Sequence, residues 1–382
     1  MAPLNLPAGG TTCTLSIIDT TTNGVWLSWS LISPAQPGHE SLNLPTYAYL
    51  IINNNTGEHI LFDLGMRKDW WNMTPANIPA VENYTNGLRI DKDMPEILAQ
   101  GNLELEKITT AVLSHNHLDH VGNMSLFPKS TKAVVGPGFK AQFTPFYPEG
   151  PTSPFHAYEF EGRELIELDM AEFGMEIGGF KAHDYFGDGS FYLLHTPGHT
   201  KEHLAGLVRT TAHTDTFVLL GGDCCHFMGV MRPSKELPLP DTFQEEVNLR
   251  PVMQTPCSSA RFAASHHNGP EAAKDTPFYT VSDAEGSFYA NPVQAQETVE
   301  KLKAFDAHPN VLIAIAHDPS LGEVLPFFPH GSISDWKVSK YKERLLWNWV
   351  KELPNDGKPG MTPLVDGLYK EGKKLRGPLT VV

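Results

Sequence analysis

Ser114-His115-Asn116-His117-Leu118-Asp119-His120 carries three imidazoles and a carboxylate on one short segment. The apolar run Thr109-Thr110-Ala111-Val112-Leu113 just before it reads as a buried strand that ends at the cluster. Side chains two apart on an extended stretch share a side, so His115 and His117 can hold one ion together. If the chain then turns, Asp119 and His120 point to a second position about 3.5–4 Å away, the usual separation in two-metal hydrolytic sites. A solvated, histidine-rich loop is the alternative. Ligands supplied further along the chain argue against it.

His-x-His-x-Asp-His after a strand resembles the metal-binding signature of the metallo-β-lactamase superfamily. The resemblance implies an α/β fold, an αββα sandwich with a dinuclear site at one edge. It also implies three further ligands: a His in a Thr-Pro-Gly-His loop, an Asp after an apolar strand, and a His after a last strand. His195-Thr196-Pro197-Gly198-His199-Thr200 matches the first, with His199 as ligand. Thr216 to Leu220, followed by Gly221-Gly222-Asp223, matches the second, and Val311 to Ala316, followed by His317-Asp318, the third. The match covers roughly residues 45–320. On this pattern His115, His117 and His199 take the first metal, and Asp119, His120 and His317 the second. Asp223 lends one oxygen to each. Two Zn²⁺ ions suit imidazole and carboxylate, with Fe, Mn or Co also compatible. The set lacks the Cys ligand of many true β-lactamases, which argues against antibiotic hydrolysis. It keeps His at position 117, where the di-iron oxygen-reducing branch departs.

Composition narrows the class. The 382 residues, 41% of them hydrophobic, support a sizeable core and are read as a single domain over 1–382. Its metal-site core spans about 45–320, with a C-terminal helical extension over about 334–382. No apolar run is long enough to span a membrane. Met1 to Gly10 has neither a basic start nor an apolar stretch of signal-peptide type. Four cysteines, Cys224 and Cys225 adjacent, make no disulfide framework, and a cytoplasmic setting is expected. A net charge of −15 opposes nucleic-acid binding, leaving a small molecule as the expected partner. The oligomeric state stays open, a dimer included. With 17 His in the chain, a lone histidine says little, and only those inside the ordered pattern count.

Thr46 to Ile52 and His59 to Leu64 read as strands joined by the Asn53-Asn54-Asn55-Thr56-Gly57 turn. Asp63 ends the second; the resemblance gives it a supporting place near the metals, and a strand-end Asp accepting local backbone bonds is compatible with that. Asp93 to Gln100 reads as a short helix. Gly179 to His183, Ser190 to Leu194, Leu204 to Val208 and Thr216 to Leu220 read as strands. Pro292 to Ala307 reads as a helix with Val293, Thr298, Val299, Leu302 and Phe305 available for its buried face. Two long irregular stretches remain, one between the cluster and His199 with the aromatic segment Phe139 to Phe160, the other from His226 to Pro292. Both leave the framework near ligand-bearing loops and are expected to wall the pocket. Phe143, Phe146, Tyr147, Phe155 and Phe227 are the aromatic candidates, with Met228 and Met231 as filler; packing within the insertions is the competing reading for each. Ser334 to Glu352 reads as an amphipathic helix packed on the body. His266-His267 reads as a surface pair.

Two such ions lower the pKa of a bridging water, and the resulting hydroxide attacks a carbonyl carbon. Asp119 borders both positions and can pass the proton to the leaving group. The related quorum-quenching lactonases carry a Tyr three residues after the bridging Asp, where this chain has His226. An imidazole N–H there can donate to the substrate carbonyl, or the residue can be structural. His195 and His203 flank the His199 loop and are expected to orient ligands, and Cys224 and Cys225 to be small buried residues. The expected function is a metal-dependent hydrolase of cyclic esters or amides, resembling acyl-homoserine lactonases and their larger fungal relatives. Some of those open lactones or the cyclic carbamates and lactams of plant defence compounds. A glyoxalase II-like thioesterase is the alternative. It would need basic residues such as Lys337, Lys340, Lys342, Arg344 and Lys351 to hold a carboxylate.

Overall fold

Apolar side chains recur at every second position along the strands, so each sheet has two faces to bury and the chain stacks in layers. The computed structural model describes residues 4–379. The start of the leader reading, Met1 to Pro3, and the end of the C-terminal extension, 380–382, lie outside the described residues.

The first half builds β1 (Cys13–Leu27), β2 (Ser41–Asn53) and β3 (His59–Phe62), then β4 (Thr85–Ile90), helix α1 (Met94–Gln100), β5 (Ile108–Val112), β6 (Lys132–Val135) and β7 (Leu165–Glu167). The hairpin between β2 and β3 forms at the expected turn, where Asn53 Oδ1 accepts from the Asn55 and Thr56 amides at 2.8 and 2.9 Å. Helix α1 opens with a reciprocal capping box between Asp93 and Glu96. The second half builds β8 (Met175–Ile177), β9 (Phe180–Asp184), β10 (Phe191–His195), β11 (Leu204–Thr211) and β12 (Thr216–Gly222), then helix α2 (Pro292–Ala307) and β13 (Val311–Ile315). A last hairpin, β14 (Leu368–Lys370) with β15 (Lys373–Arg376), joins the first sheet. One sheet runs β15-β14-β4-β1-β2-β3-β5-β6-β7 and the other β13-β12-β11-β10-β9-β8.

The two sheets face each other across Leu15, Ile17, Tyr49, Phe62 and Val112 on one side and Phe191, Leu193, Val208, Val218 and Leu312 on the other. Each such side chain contributes about 1.5–3 kcal/mol when fully buried. The intervening residues turn outward: Leu50, Leu61 and Ala111 pack under Met94, Ile97 and Leu98 of α1. On the far side Leu207, Leu219 and Ile313 pack under Val299, Leu302 and Phe305 of α2. This is the expected αββα sandwich.

Several details depart from the sequence reading. The 15-residue strand β1 lies before the stretch over which the resemblance was drawn. Val293, placed on the buried face of α2, is 72% exposed at the first turn of the helix, where Ala295 is the residue that packs inward. Ser334 to Glu352 is no single helix; it breaks into a helix at Tyr341–Leu345 and a 3-10 turn at Asn348–Glu352, and the C-terminal part is a β-hairpin. Trp336 and Trp349 are buried instead as separate plugs. Phe139 to Phe160 contains two short helices, Phe139–Phe143 and Ala157–Phe160. His266 is buried and stacked on His267, and both rings bond the carbonyls of Thr276, Pro277 and Phe278, so the pair fastens a loop. Among the described residues no helix is long and apolar enough to cross a membrane.

The second long segment is tied to the body by a buried ion pair. Arg232 donates to both oxygens of Asp306 at 2.8 and 2.7 Å and to the Leu346 carbonyl at 2.7 Å. Removing one partner of a buried pair costs about 3–5 kcal/mol because the other charge is stranded. Asp306→Ala is therefore expected to lower the unfolding free energy by that amount in a urea titration. A change below about 1 kcal/mol would show that the Leu346 carbonyl alone satisfies the guanidinium.

Candidate metal centre

The site gathers at the C-terminal ends of five strands. Asp63 follows β3, His115 to His120 follow β5, His199 follows β10, Asp223 follows β12 and His317 follows β13. Two glycines let these loops close. Gly198 has φ +136°, and a Cβ there would lie 2.3 Å from the Ala295 amide nitrogen of α2. Gly222 has φ +49°, and a Cβ would lie 2.9 Å from His203 Nε2.

All seven expected ligands come together. His199 Nε2 lies 3.2 Å from His115 Nε2 and 2.8 Å from His117 Nδ1. Asp223 Oδ2 faces this trio, 3.3 Å from His199 Nε2 and 3.6 Å from His115 Nε2. Its other oxygen, Oδ1, lies 3.1 Å from His120 Nε2 and 3.0 Å from His317 Nε2. Asp119 completes that side, with Oδ2 3.5 Å from His317 Nε2 and Oδ1 3.9 Å from His120 Nε2. In each group the donor atoms lie within 4.8 Å of one another.

The donors are held with their lone pairs inward. Asp63 accepts from the Ser114 amide at 2.7 Å, from Ser114 Oγ at 2.8 Å and from His120 Nδ1 at 2.8 Å. His115 Nδ1 donates to Ser114 Oγ at 2.9 Å, and His317 Nδ1 to the Pro45 carbonyl at 2.9 Å. These bonds place the bare nitrogen of each ring on the side of Asp223. Asp63 thus accepts a backbone bond at its strand end and orients a ligand at once. His203 acts on the carboxylate side, where Nε2 accepts the Asp223 amide at 3.0 Å and Nδ1 donates to Thr196 Oγ1 at 2.8 Å. His195 closes its own loop through the Lys201 carbonyl at 3.0 Å.

The residues fit a bound cation. His120 Nε2 and Asp223 Oδ1 are buried and make no hydrogen bond, although they lie 3.1 Å apart. Burial drives the His115 and His199 imidazoles well below their ordinary range and His117 to about 4, so these rings are neutral and offer lone pairs. Burial opposes ionisation of Asp223, but the facing His120, His317 and His226 hold its carboxyl well below the usual range. A buried carboxylate ringed by imidazoles, three of them held neutral, is a donor set that suits a divalent transition metal.

Trp26, Leu31, Leu44, Leu118 and Phe288 wall a cavity whose polar lining is His117, Asp119, Asp223, His226 and His317. The space between these walls, mouth included, is about 320 Å³. Here the sequence reading needs correction. None of Phe143, Phe146, Tyr147, Phe155, Phe227, Met228 and Met231 lines the cavity. Phe143, Phe146 and Phe155 pack with Phe139 and Phe160 outside the first sheet, and Phe227 packs on His39, Tyr279 and Trp349. The second segment does reach the site, through Phe288 and Tyr289. Trp26 comes from β1, Leu44 from β2 and Leu31 from the turn that links them, a stretch to which the sequence reading assigned no element. Cys224 and Cys225 are small buried residues, as expected, with the Cys224 thiol pushed up to about 12 by burial.

Comparison with known proteins agrees with this geometry. Residues 42–209 match the family model described as the metallo-beta-lactamase superfamily. A protein named gamma-lactamase FDB1, from Fusarium pseudograminearum, is 34% identical over 355 residues, 91% of this chain and 84% of the relative. A protein named metallo-hydrolase mfmC, from Annulohypoxylon moriforme, is 37% identical over 349 residues, 90% of this chain and 88% of its own. The crystal structure of a quorum-quenching N-acyl homoserine lactone lactonase shares the fold, with a TM-score of 0.52 at 17% identity over 84% of this chain and 99% of that one.

Asp63 touches no position a cation would take, yet it orients His120. Loss of such a partner typically costs about 10–100-fold in metal affinity. Asp63→Asn is expected to weaken metal binding by that factor in a competition titration against a chromophoric chelator. Unchanged affinity would reduce Asp63 to a strand-end backbone acceptor.

Proposed function

This chain belongs to the metallo-β-lactamase superfamily and is a hydrolase; we propose that it opens a small, neutral cyclic ester or amide with two divalent ions, most simply Zn²⁺, at the Asp223 site. The observation that carries this is the division of donors about Asp223. His115, His117 and His199 gather on its Oδ2 side, and Asp119, His120 and His317 lie on the side where Oδ1 meets His120 and His317. When bound, two such ions supply a hydroxide near neutral pH and a Lewis-acid contact for the carbonyl oxygen.

The chain's own residues complete the chemistry. Asp119 borders the cavity and takes the proton from the attacking oxygen to the leaving oxygen or nitrogen. His226 lines the same wall and gives its N–H to the carbonyl oxygen as charge develops there. Trp26, Leu31, Leu44, Leu118 and Phe288 desolvate the ring of the substrate. Among the described residues no Lys or Arg lines the cavity. Two of the basic residues a thioesterase would need are engaged elsewhere: Lys342 caps the carbonyls of Asp306, His308 and Val311, and Lys351 pairs with Glu323. The names of the relatives, a gamma-lactamase and a metallo-hydrolase, support the same reading.

Rates on a panel of lactones, γ-lactams, a thioester and nitrocefin, with and without chelator, test this directly. Turnover is expected on a neutral lactone or lactam, lost with chelator and restored by metal. Full activity in demonstrably metal-free protein would sink the reading. His117→Ala and Asp223→Ala are expected to lower both metal content and turnover. Asp119→Asn should depress turnover on every substrate. His226→Ala should keep its metal while losing roughly tenfold to a hundredfold in rate, below the usual worth of an oxyanion donor because a cation shares the load.

A further inference from the structure

Tyr289 lies in the segment between β12 and α2, is 5% exposed, and its Oη is 2.9 Å from His226 Nδ1. Its ring stands edge-on to both His226 and His199, at 5.5 and 5.2 Å between centroids. The chain that follows is pinned to the ligand loop, with the Ala290 and Asn291 amides donating to the His199 and Gly198 carbonyls at 2.9 Å each. Tyr289 therefore cannot drift from His226 without dislodging the His199 loop. At the other end of the imidazole, His226 Nε2 is 3.0 Å from Asp223 Oδ2.

With a neutral imidazole in the middle, the three groups of this row admit two sets of protons, and the geometry favours the first. An ionised carboxylate only accepts, so Nε2 carries the hydrogen. A neutral imidazole then has a bare lone pair at Nδ1, and Tyr289 is the donor. Burial holds the phenol well above its ordinary range, so it keeps that hydrogen. The competing arrangement makes His226 a metal ligand, with Nδ1–H donating to Tyr289 and Nε2 bare. Asp223, His226 and His317 are close enough together for that. However, His226 turns to Oδ2, the oxygen already facing His115 and His199, whereas His317 turns to Oδ1. A fourth imidazole on the crowded side is the poorer fit.

We propose that Tyr289 is a positioning residue that fixes His226 as its Nε2–H tautomer, so that the hydrogen at the cavity end of the ring, which here points to Asp223 Oδ2, is shared with the substrate carbonyl instead of a lone pair being offered to a cation. The assignment rests on the hydrolase reading for its effect on rate, and on hydrogen bonding alone for its effect on the tautomer. A phenol held over the outer nitrogen makes a histidine do here what a bare side-chain hydroxyl would do unaided.

Tyr289→Phe keeps the ring and removes the donor. We expect kcat on the best lactone or lactam to fall roughly threefold to thirtyfold with metal content unchanged, less than loss of the donor itself. In the His226→Ala background the same change should have no further effect, since its action runs through that ring. In ¹⁵N-histidine-labelled protein, the His226 signals, identified by their loss in His226→Gln, should show a protonated Nε2 and an unprotonated Nδ1, and Tyr289→Phe should mix the two forms. Release of an ion by Tyr289→Phe, additive losses in the double variant, or a protonated Nδ1 in the parent protein would each overturn the proposal. If the parent protein hydrolyses nothing on the panel, the hydrolase reading falls, while the nitrogen signals still decide the tautomer.

Discussion

The buried carboxylate of Asp223 sets the terms for the rest of the molecule. Five imidazoles lie within 3.6 Å of its two oxygens, and an ionised group so deep is tolerable only if every direction around it is compensated. That requirement explains why so many polar groups are held in place near the strand ends. Asp63, Ser114, Pro45 and Thr196 spend their hydrogen bonds on the outer nitrogens of His120, His115, His317 and His203. The inner nitrogens of His115, His120 and His317 are then free for a cation, and that of His203 for the Asp223 amide.

The same constraint shapes the fold. Strands β5, β10, β12 and β13 come from both sheets, yet their C-terminal ends must meet at one edge of the sandwich. Close packing between the sheets fixes that meeting, since Phe62 and Phe191 lock edge-to-face across the interior at 6.5 Å. Glycine at 198 and 222 then allows the loops to approach nearer than any side chain would permit.

The cavity wall is assembled differently. Its apolar side chains come from β1, from the turn after it, from β2, from the loop after β5 and from the segment before α2, five stretches with no sequence pattern in common. Trp26 and Phe288 meet edge-to-face at 5.7 Å, and Phe288 also reaches His117 at 5.9 Å. The polar lining is confined to the side of the histidine and aspartate cluster.

The sequence by itself determined the cluster, because alternation brings His115 and His117 to one side, and the resemblance to the metallo-β-lactamase signature added His199, Asp223 and His317, each in a loop that follows an apolar strand. It also determined the strands and helices that bear them, since periods of two and of about 3.6 residues are visible without a partner. Only the tertiary structure decided which aromatics face the histidine and aspartate cluster. Phe143, Phe146 and Phe155 gain as much by burial outside the first sheet as they would in the pocket, and hydrophobicity carries no direction. It alone found Tyr289, which meets His226 across 63 residues of irregular chain. A hydrogen bond between loops depends on where both backbones finish, and no periodicity records that.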